Sequence, residues 1–165
     1  MNDRNEKSGW MGARGEGYVV IQAILLALLV LGPSTPADAA GWPQPFGLLG
    51  KLSGSLLMTA GLALCALGLG HLGPNLTPLP RPRDDARLVV SGPYRWVRHP
   101  IYSGIIFASF GLALIYNGIF TFGYALLLFG FFHVKSRREE EWLVEKFPEY
   151  SEYQQRVRKL IPFVF

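Results

Sequence analysis

The chain has 165 residues, half of them hydrophobic, with one cysteine, three histidines and a formal net charge of +4. That length suits one domain, 1–165, and a lone cysteine excludes an intrachain disulfide and weighs against a cysteine-ligated metal centre. The apolar residues lie in long uncharged blocks rather than at helical or strand spacing, the pattern of an integral membrane protein.

The first block spans residues 18–31 and is followed by PADAA. Basic residues before it and small residues behind it resemble a secretory leader cut near Ala40 or Gly41. The long polar segment ahead of the block, and the need of a small bundle for a fourth packing helix, favour a retained span. A second span is expected over 52–72, where Gly54, Gly61 and Gly68 recur every seven residues and let a neighbouring helix approach closely. Residues 73–99 form a loop rich in Pro and Arg, whose prolines forbid a regular helix over its first half. Leu88, Val89 and Val90 read as an extended run, and Ser91 to Tyr94 as a turn carrying Tyr94 and Arg95 to the membrane surface. Asn75, Leu76 and Thr77 match a glycosylation acceptor, which on a cytoplasmic loop is a chance match.

Two more spans, 100–117 and 118–134, are joined tightly at Asn117 and Gly118. At about 1.5 Å per residue each is about 26 Å long, enough to cross a hydrocarbon core of roughly 30 Å. Gly104, Ala108 and Gly111, and Gly123 and Gly130 in the next span, read as further close-packing positions. Such a hairpin returns to the face it left. Arg98, His99, Pro100 and Tyr102 at its start therefore share a compartment with Glu139, Glu140 and Glu141 beyond its end. In the tail, 135–165, the helix should continue to Pro148, which suits the first turn of another. There Tyr150, Tyr153, Val157 and Leu160 share one face and Glu152, Arg156 and Lys159 another, as in a helix lying in the interface, with the closing LIPFVF capping the bundle or re-entering the apolar layer.

Fifteen of the sixteen basic residues fall on one side of these spans, with only Lys51 opposite. The positive-inside tendency then puts both termini and the polar clusters in the cytoplasm, and the same bias accounts for the net charge without any nucleic-acid partner. His71, His99 and His133 lack any metal-ligand spacing, so no metal site is predicted.

Arginines flanking a span are ordinarily topological, and a glutamate run is ordinarily a solvated helix face on which Lys135 and Glu139 can pair at i, i+4. Here both clusters meet around one turn with Tyr94, Trp96, Tyr102 and Trp142. Ionisable groups at a membrane boundary are costly unless paired or used. Such a cup offers cations for a carboxylate or phosphate, carboxylates for an ammonium, and aromatic faces for a purine or sulfonium. Glu139 and Glu140, about 100° apart on a helix, can both border it, while Glu141 meets solvent.

The string LVVSGPYRWVRHPIYSG, an apolar hairpin and then REEEWLVEKFPEYSEYQQRVRKLIP resemble the isoprenylcysteine carboxyl methyltransferase family and the related phospholipid N-methyltransferases. The matched elements are the RHPxY box from Arg98 to Tyr102, the EExxL box from Glu139 to Leu143, and the spacing of Phe147, Tyr150 and Tyr153; with the stretch near Asn75 they cover residues 75–162. The resemblance implies an all-α membrane protein of about four transmembrane helices with a cytoplasmic helical extension. It implies S-adenosyl-L-methionine as cofactor and, as acceptor, a carboxylate or amine on a lipid or lipid-bearing partner entering from the bilayer. By motif position Leu88, Val89, Tyr94, His99, Pro100, Tyr102 and Glu140 would bind the cofactor. Arg98, Glu139 and Glu140 would be catalytic, and Lys135 and Glu139 would meet the acceptor. Lys135 stands where family members can carry Arg, and Pro148 where Gly is common, departures that bear on the acceptor more than on the cofactor. The chain is short beside the eukaryotic enzymes of prenylated proteins, so a lipid or other small amphipathic acceptor is expected as readily, in a prokaryotic inner membrane. Two other readings stay open at this point: an NADPH-dependent sterol or enone reductase, and a non-enzymatic packing or transport subunit.

Overall fold

An uncharged run in hydrocarbon must satisfy its own backbone groups, and helices do so within one segment. The computed structural model, which describes residues 12, 14–36, 41–162 and 164, accordingly contains helices and no strand among those residues. They are α1 (Glu16–Leu31), α2 (Phe46–Leu72), α3 (Pro100–Tyr116), α4 (Ile119–Lys146) and the short α5 (Tyr150–Arg156). By length and composition α2 and α4 can each cross a bilayer, while α1 and α3 are shorter apolar helices of 16 and 17 residues. The second helix starts at Phe46 rather than residue 52, which puts Lys51 inside it, exposed, where the long side chain can snorkel. The fourth continues without a break into the glutamate run. Residues 37–40, where a leader would be cut, lie outside the described residues, as do Arg4, Lys7, Phe163 and Phe165.

Close approach of α2 and α3 depends on small residues. A Cβ at Gly54 would sit 2.6 Å from the Gly111 carbonyl oxygen, one at Gly61 2.6 Å from that of Gly104, and one at Gly68 2.9 Å from the Ile101 side chain. Rising numbers on α2 meet falling numbers on α3, so the pair is antiparallel. The expectation for α4 is corrected: at Gly123 and Gly130 a Cβ would meet nothing within 4 Å. Instead α4 turns Ala125, Leu128 and Phe132 inward, at helical spacing, and these are fully buried. Asn117, left-handed at φ 50°, ends α3, and the Gly118 N–H donates to the Ala113 carbonyl at 3.0 Å, the tight link expected.

On the far side of α4 lies α1, also antiparallel to it, because Gln22 meets Lys135 and Gly32 meets Tyr124. The core joins Leu29 of α1, Ile106 of α3, Leu128 and Phe132 of α4, and Leu160 of the tail. Ile24, Leu56, Leu62, Leu127 and Val134 point outward and are exposed, an apolar exterior suited to lipid.

The tail differs from the interfacial helix that its pattern suggests. α5 ends at Arg156, and the following residues pair with the start of α3: Val97 and Arg158 form a parallel bridge, and Arg98 and His99 N–H donate to the Arg158 and Lys159 carbonyls at 2.8 and 3.2 Å. The helix stops because the Arg98 guanidinium takes the carbonyls of Gln154 and Val157, which a longer helix would need for itself. Leu160 caps the core with no exposure, and Lys159 is buried rather than on a solvated face.

Candidate active site

Local structure aims the first box. Pro100 occupies the first helical position of α3, where its missing N–H costs nothing, so the chain turns at His99. The Ser103 hydroxyl donates to the His99 carbonyl at 2.9 Å. Upstream, a 3₁₀ turn over Gly92–Arg95 brings Tyr94 inward, and its hydroxyl donates to the Gly68 carbonyl at 3.4 Å. Gly92 has φ 58° and its Cβ would strike the His71 ring, so both the backbone and the neighbour require glycine there. Tyr153 of α5 donates to the Tyr94 carbonyl. Burial is the largest influence on both phenols and pushes each well above its ordinary pKa, so they remain neutral donors.

The second box meets the first at one point. Arg98 Nε lies 2.7 Å and His99 Nε2 3.0 Å from the same Glu140 oxygen, Oε1. Gln154 donates to the other Glu140 oxygen at 3.3 Å, and the Lys159 ammonium is 3.9 Å from it. Glu140 thus gathers two cationic side chains, an amide and an imidazole from three segments of chain. Glu139 faces differently: it accepts from the Tyr102 hydroxyl at 2.7 Å and stands 3.8 Å from His99 Nδ1. The imidazole therefore sits between two carboxylates. It also stacks on the Tyr102 ring, with centroids 5.3 Å and planes 8° apart, and Tyr102 stacks in turn on Phe132 at 4.6 Å.

A cavity of about 320 Å³ opens beside this cluster. Of the residues singled out from sequence, Leu88, Val89, Tyr94, Arg98, His99, Pro100, Tyr102, Lys135 and Glu139 line it. Glu140 does not; it lies behind the wall, held there by Arg98 and His99. Glu141 pairs outward with Arg138 at 2.6 Å, as expected. Trp96 is half-exposed and Trp142 lies under the Arg138 guanidinium at 4.5 Å, so neither joins the cavity wall. Lys135, 1% exposed, makes no i, i+4 hydrogen bond to Glu139; its ammonium donates to Gln22 Oε1 at 2.6 Å and the Pro78 carbonyl at 3.0 Å, 5.3 Å from the Tyr102 ring centroid.

Gln22 and Asn75 are among the lining residues that the motifs do not mark. Gln22, the one amide in the apolar run of α1, carried a signal that was not used. Asn75 accepts the Arg87 N–H at 2.9 Å and so folds the loop over the cavity, a role that no local pattern announces.

The cavity falls within the several hundred Å³ usual for small-molecule sites. Its flat aromatic stack, carboxylate and buried ammonium match the adenine, ammonium and carboxylate of an aminoacyl nucleoside.

The sequence model of the phospholipid methyltransferase family matches residues 49–150, more than half of the chain. A human protein-S-isoprenylcysteine O-methyltransferase is 34% identical over 125 residues, which are 74% of this chain and 42% of the human one. The Arabidopsis thaliana enzyme B of the same name is 31% identical over 74% of this chain and 61% of its own length. A cobalt-zinc-cadmium resistance protein of Cupriavidus metallidurans is 28% identical over 87% of this chain and 61% of its own. The chain thus spans between about two fifths and three fifths of these relatives. Among solved structures, a eukaryotic intramembrane Ras methyltransferase superposes with TM-score 0.54 at 24% identity, over 90% of this chain and 66% of the other, a likeness of fold. By the extent of the family match, and with the fold and both boxes in agreement, the chain belongs to the phospholipid methyltransferase family.

Proposed function

We propose that this protein transfers a methyl group from S-adenosyl-L-methionine to a carboxylate or amine of a lipid or lipid-bearing acceptor. One observation carries the reading: the His99 and Tyr102 stack, the Glu139 carboxylate and the Lys135 ammonium all face one cavity at the mouth of an apolar hairpin. When bound, the cofactor supplies an electrophilic methyl on a sulfonium. His99, Tyr102, Tyr94, Pro100, Leu88 and Val89 would hold it, with Glu139 on its ammonium. Arg98 and Glu140 position the box. Glu140 fixes His99 by one oxygen, and Arg98 ties the box to α5, so the imidazole face is set before any ligand arrives.

Holding two partners in line can contribute up to about 7–11 kcal/mol, so positioning is the main demand on these residues. A carboxylate acceptor is already ionised and needs no base; Lys135 would pair with it. An amine acceptor must first lose a proton, and Glu139, one quarter exposed, can take it. We further propose that all four long helices cross the bilayer, with the site and both termini on the cytoplasmic side, as the distribution of basic residues favours.

The test is equilibrium binding of labelled S-adenosyl-L-methionine against NADPH to the purified protein, followed by identification of the labelled product in native membranes. Preference for NADPH would sink the methyltransferase reading in favour of a reductase. No binding of either leaves a packing or transport subunit.

A further inference from the structure

A second cleft, of about 800 Å³, shares Arg98 with the first cavity and no other residue. Its charged lining includes Arg137, Glu140, Glu141, Arg158 and Lys159. Both carboxylates are already engaged: Glu140 by Arg98 at 2.7 Å and His99 at 3.0 Å, and Glu141 by Arg138 at 2.6 Å. Arg137 and Arg158 are not. No hydrogen bond or ion pair joins the Arg137 or Arg158 guanidinium to a described residue. Lys159, its side chain 9% exposed, reaches only the His133 carbonyl at 3.3 Å and stands 3.9 Å from Glu140. Burial pushes its ammonium below the ordinary lysine value; Glu140 opposes this, and Arg98 and Arg137 add to it.

Two unpaired guanidinium groups and a buried ammonium therefore line one concavity whose carboxylates are already paired, an arrangement that an anion relieves. Location narrows the anion further. Arg137 follows Val134, the last exposed apolar residue before the charged part of α4, so the cleft lies at the level of lipid headgroups. Loose interfacial arginines would serve topology alone, but they would not enclose a buried lysine.

We propose that this cleft binds a phosphate group, carried by an anionic lipid headgroup or by a free phosphate ester. The site stands apart from the methyl-transfer cavity, and none of Arg137, Arg158 and Lys159 lines that cavity.

The full chain, purified in an uncharged detergent, is titrated with short-chain phosphatidylglycerol, short-chain phosphatidylcholine and glycerol 3-phosphate. Saturable binding of phosphatidylglycerol over phosphatidylcholine is expected. The double variant Arg137→Gln with Arg158→Gln should weaken it about thirtyfold, and the charge-matched Arg95→Gln with Arg156→Gln, exposed and outside both cavities, should leave it within about twofold. If the first pair does not fold, the exposed single change Arg137→Gln should still weaken binding about fivefold. Glycerol 3-phosphate bound as tightly as the lipid identifies a free ester as the source, and lipid binding alone identifies the headgroup. Equal weakening by both double variants would show mere surface charge and overturn the site, as would wild-type protein that binds neither anionic probe.

Discussion

Arg98 and Glu140, 42 residues apart in the chain, meet at 2.7 Å with side chains only 11% and 9% exposed, and the tail, the first box and the second box all converge there. Removing one partner of a buried pair costs more than the pair is worth, because the other charge is stranded. Glu140→Gln should therefore destabilise the protein by about 3 kcal/mol, read from denaturant unfolding in detergent micelles. The same variant combined with His99→Ala should lose cofactor binding while a folded fraction persists; unchanged binding would reduce the cluster to a structural clasp.

Tyr102→Phe tests the hydroxyl apart from the ring. The stack on His99 and Phe132 survives and only the bond to Glu139 is lost, so stability should fall by about 1–2 kcal/mol. Cofactor affinity should fall less than for Tyr102→Ala, which also removes the aromatic face. Equal losses in a binding titration would assign the whole effect to the hydroxyl.

Glycines of α2 and α4 should respond in opposite directions. At Gly61 an added methyl meets the Ala108 nitrogen and the Gly104 carbonyl at 2.6 Å, so Gly61→Ala should cost about 1–3 kcal/mol. At Gly130 it meets open space in mid-helix, and Gly130→Ala should stabilise by about 0.5–1 kcal/mol. Paired unfolding curves decide the matter; two losses of similar size would contradict the packing described for α4.

Gln22→Leu strands one donor of the buried Lys135 ammonium and should cost about 1–3 kcal/mol. That cost requires α1 to remain attached. Intact mass measurement on the same sample shows whether the first helix is retained; a mature chain beginning near Ala40 with unaltered stability would remove α1 from the site.

Lys159 makes stability depend on pH. Its folded-state pKa lies below the ordinary value because of burial, against the pull of Glu140, so between the two values the unfolded chain binds more protons. Stability should rise as pH increases through that alkaline window. Lys159→Met should flatten the rise, as measured by thermal unfolding across the range.

Legibility in the sequence followed the range of the forces involved. Spans, their hairpin, the heptad glycines of α2 and the presence of two polar boxes are local properties: an uncharged run in hydrocarbon has to become a helix, and glycine spacing marks a face within one element. The same logic erred for Gly123 and Gly130, because periodicity reveals that a face exists and not whether a neighbour fills it. It erred again for residues 157–160, where a helical pattern yields to the carbonyls that Arg98 claims from 59 residues away. Which glutamate faces the cavity also depended on the tertiary structure. Glu139 and Glu140 are adjacent and chemically alike, and only the arrival of Arg98, His99 and Lys159 on one side of α4 separates a carboxylate held in a clasp from one open to a ligand.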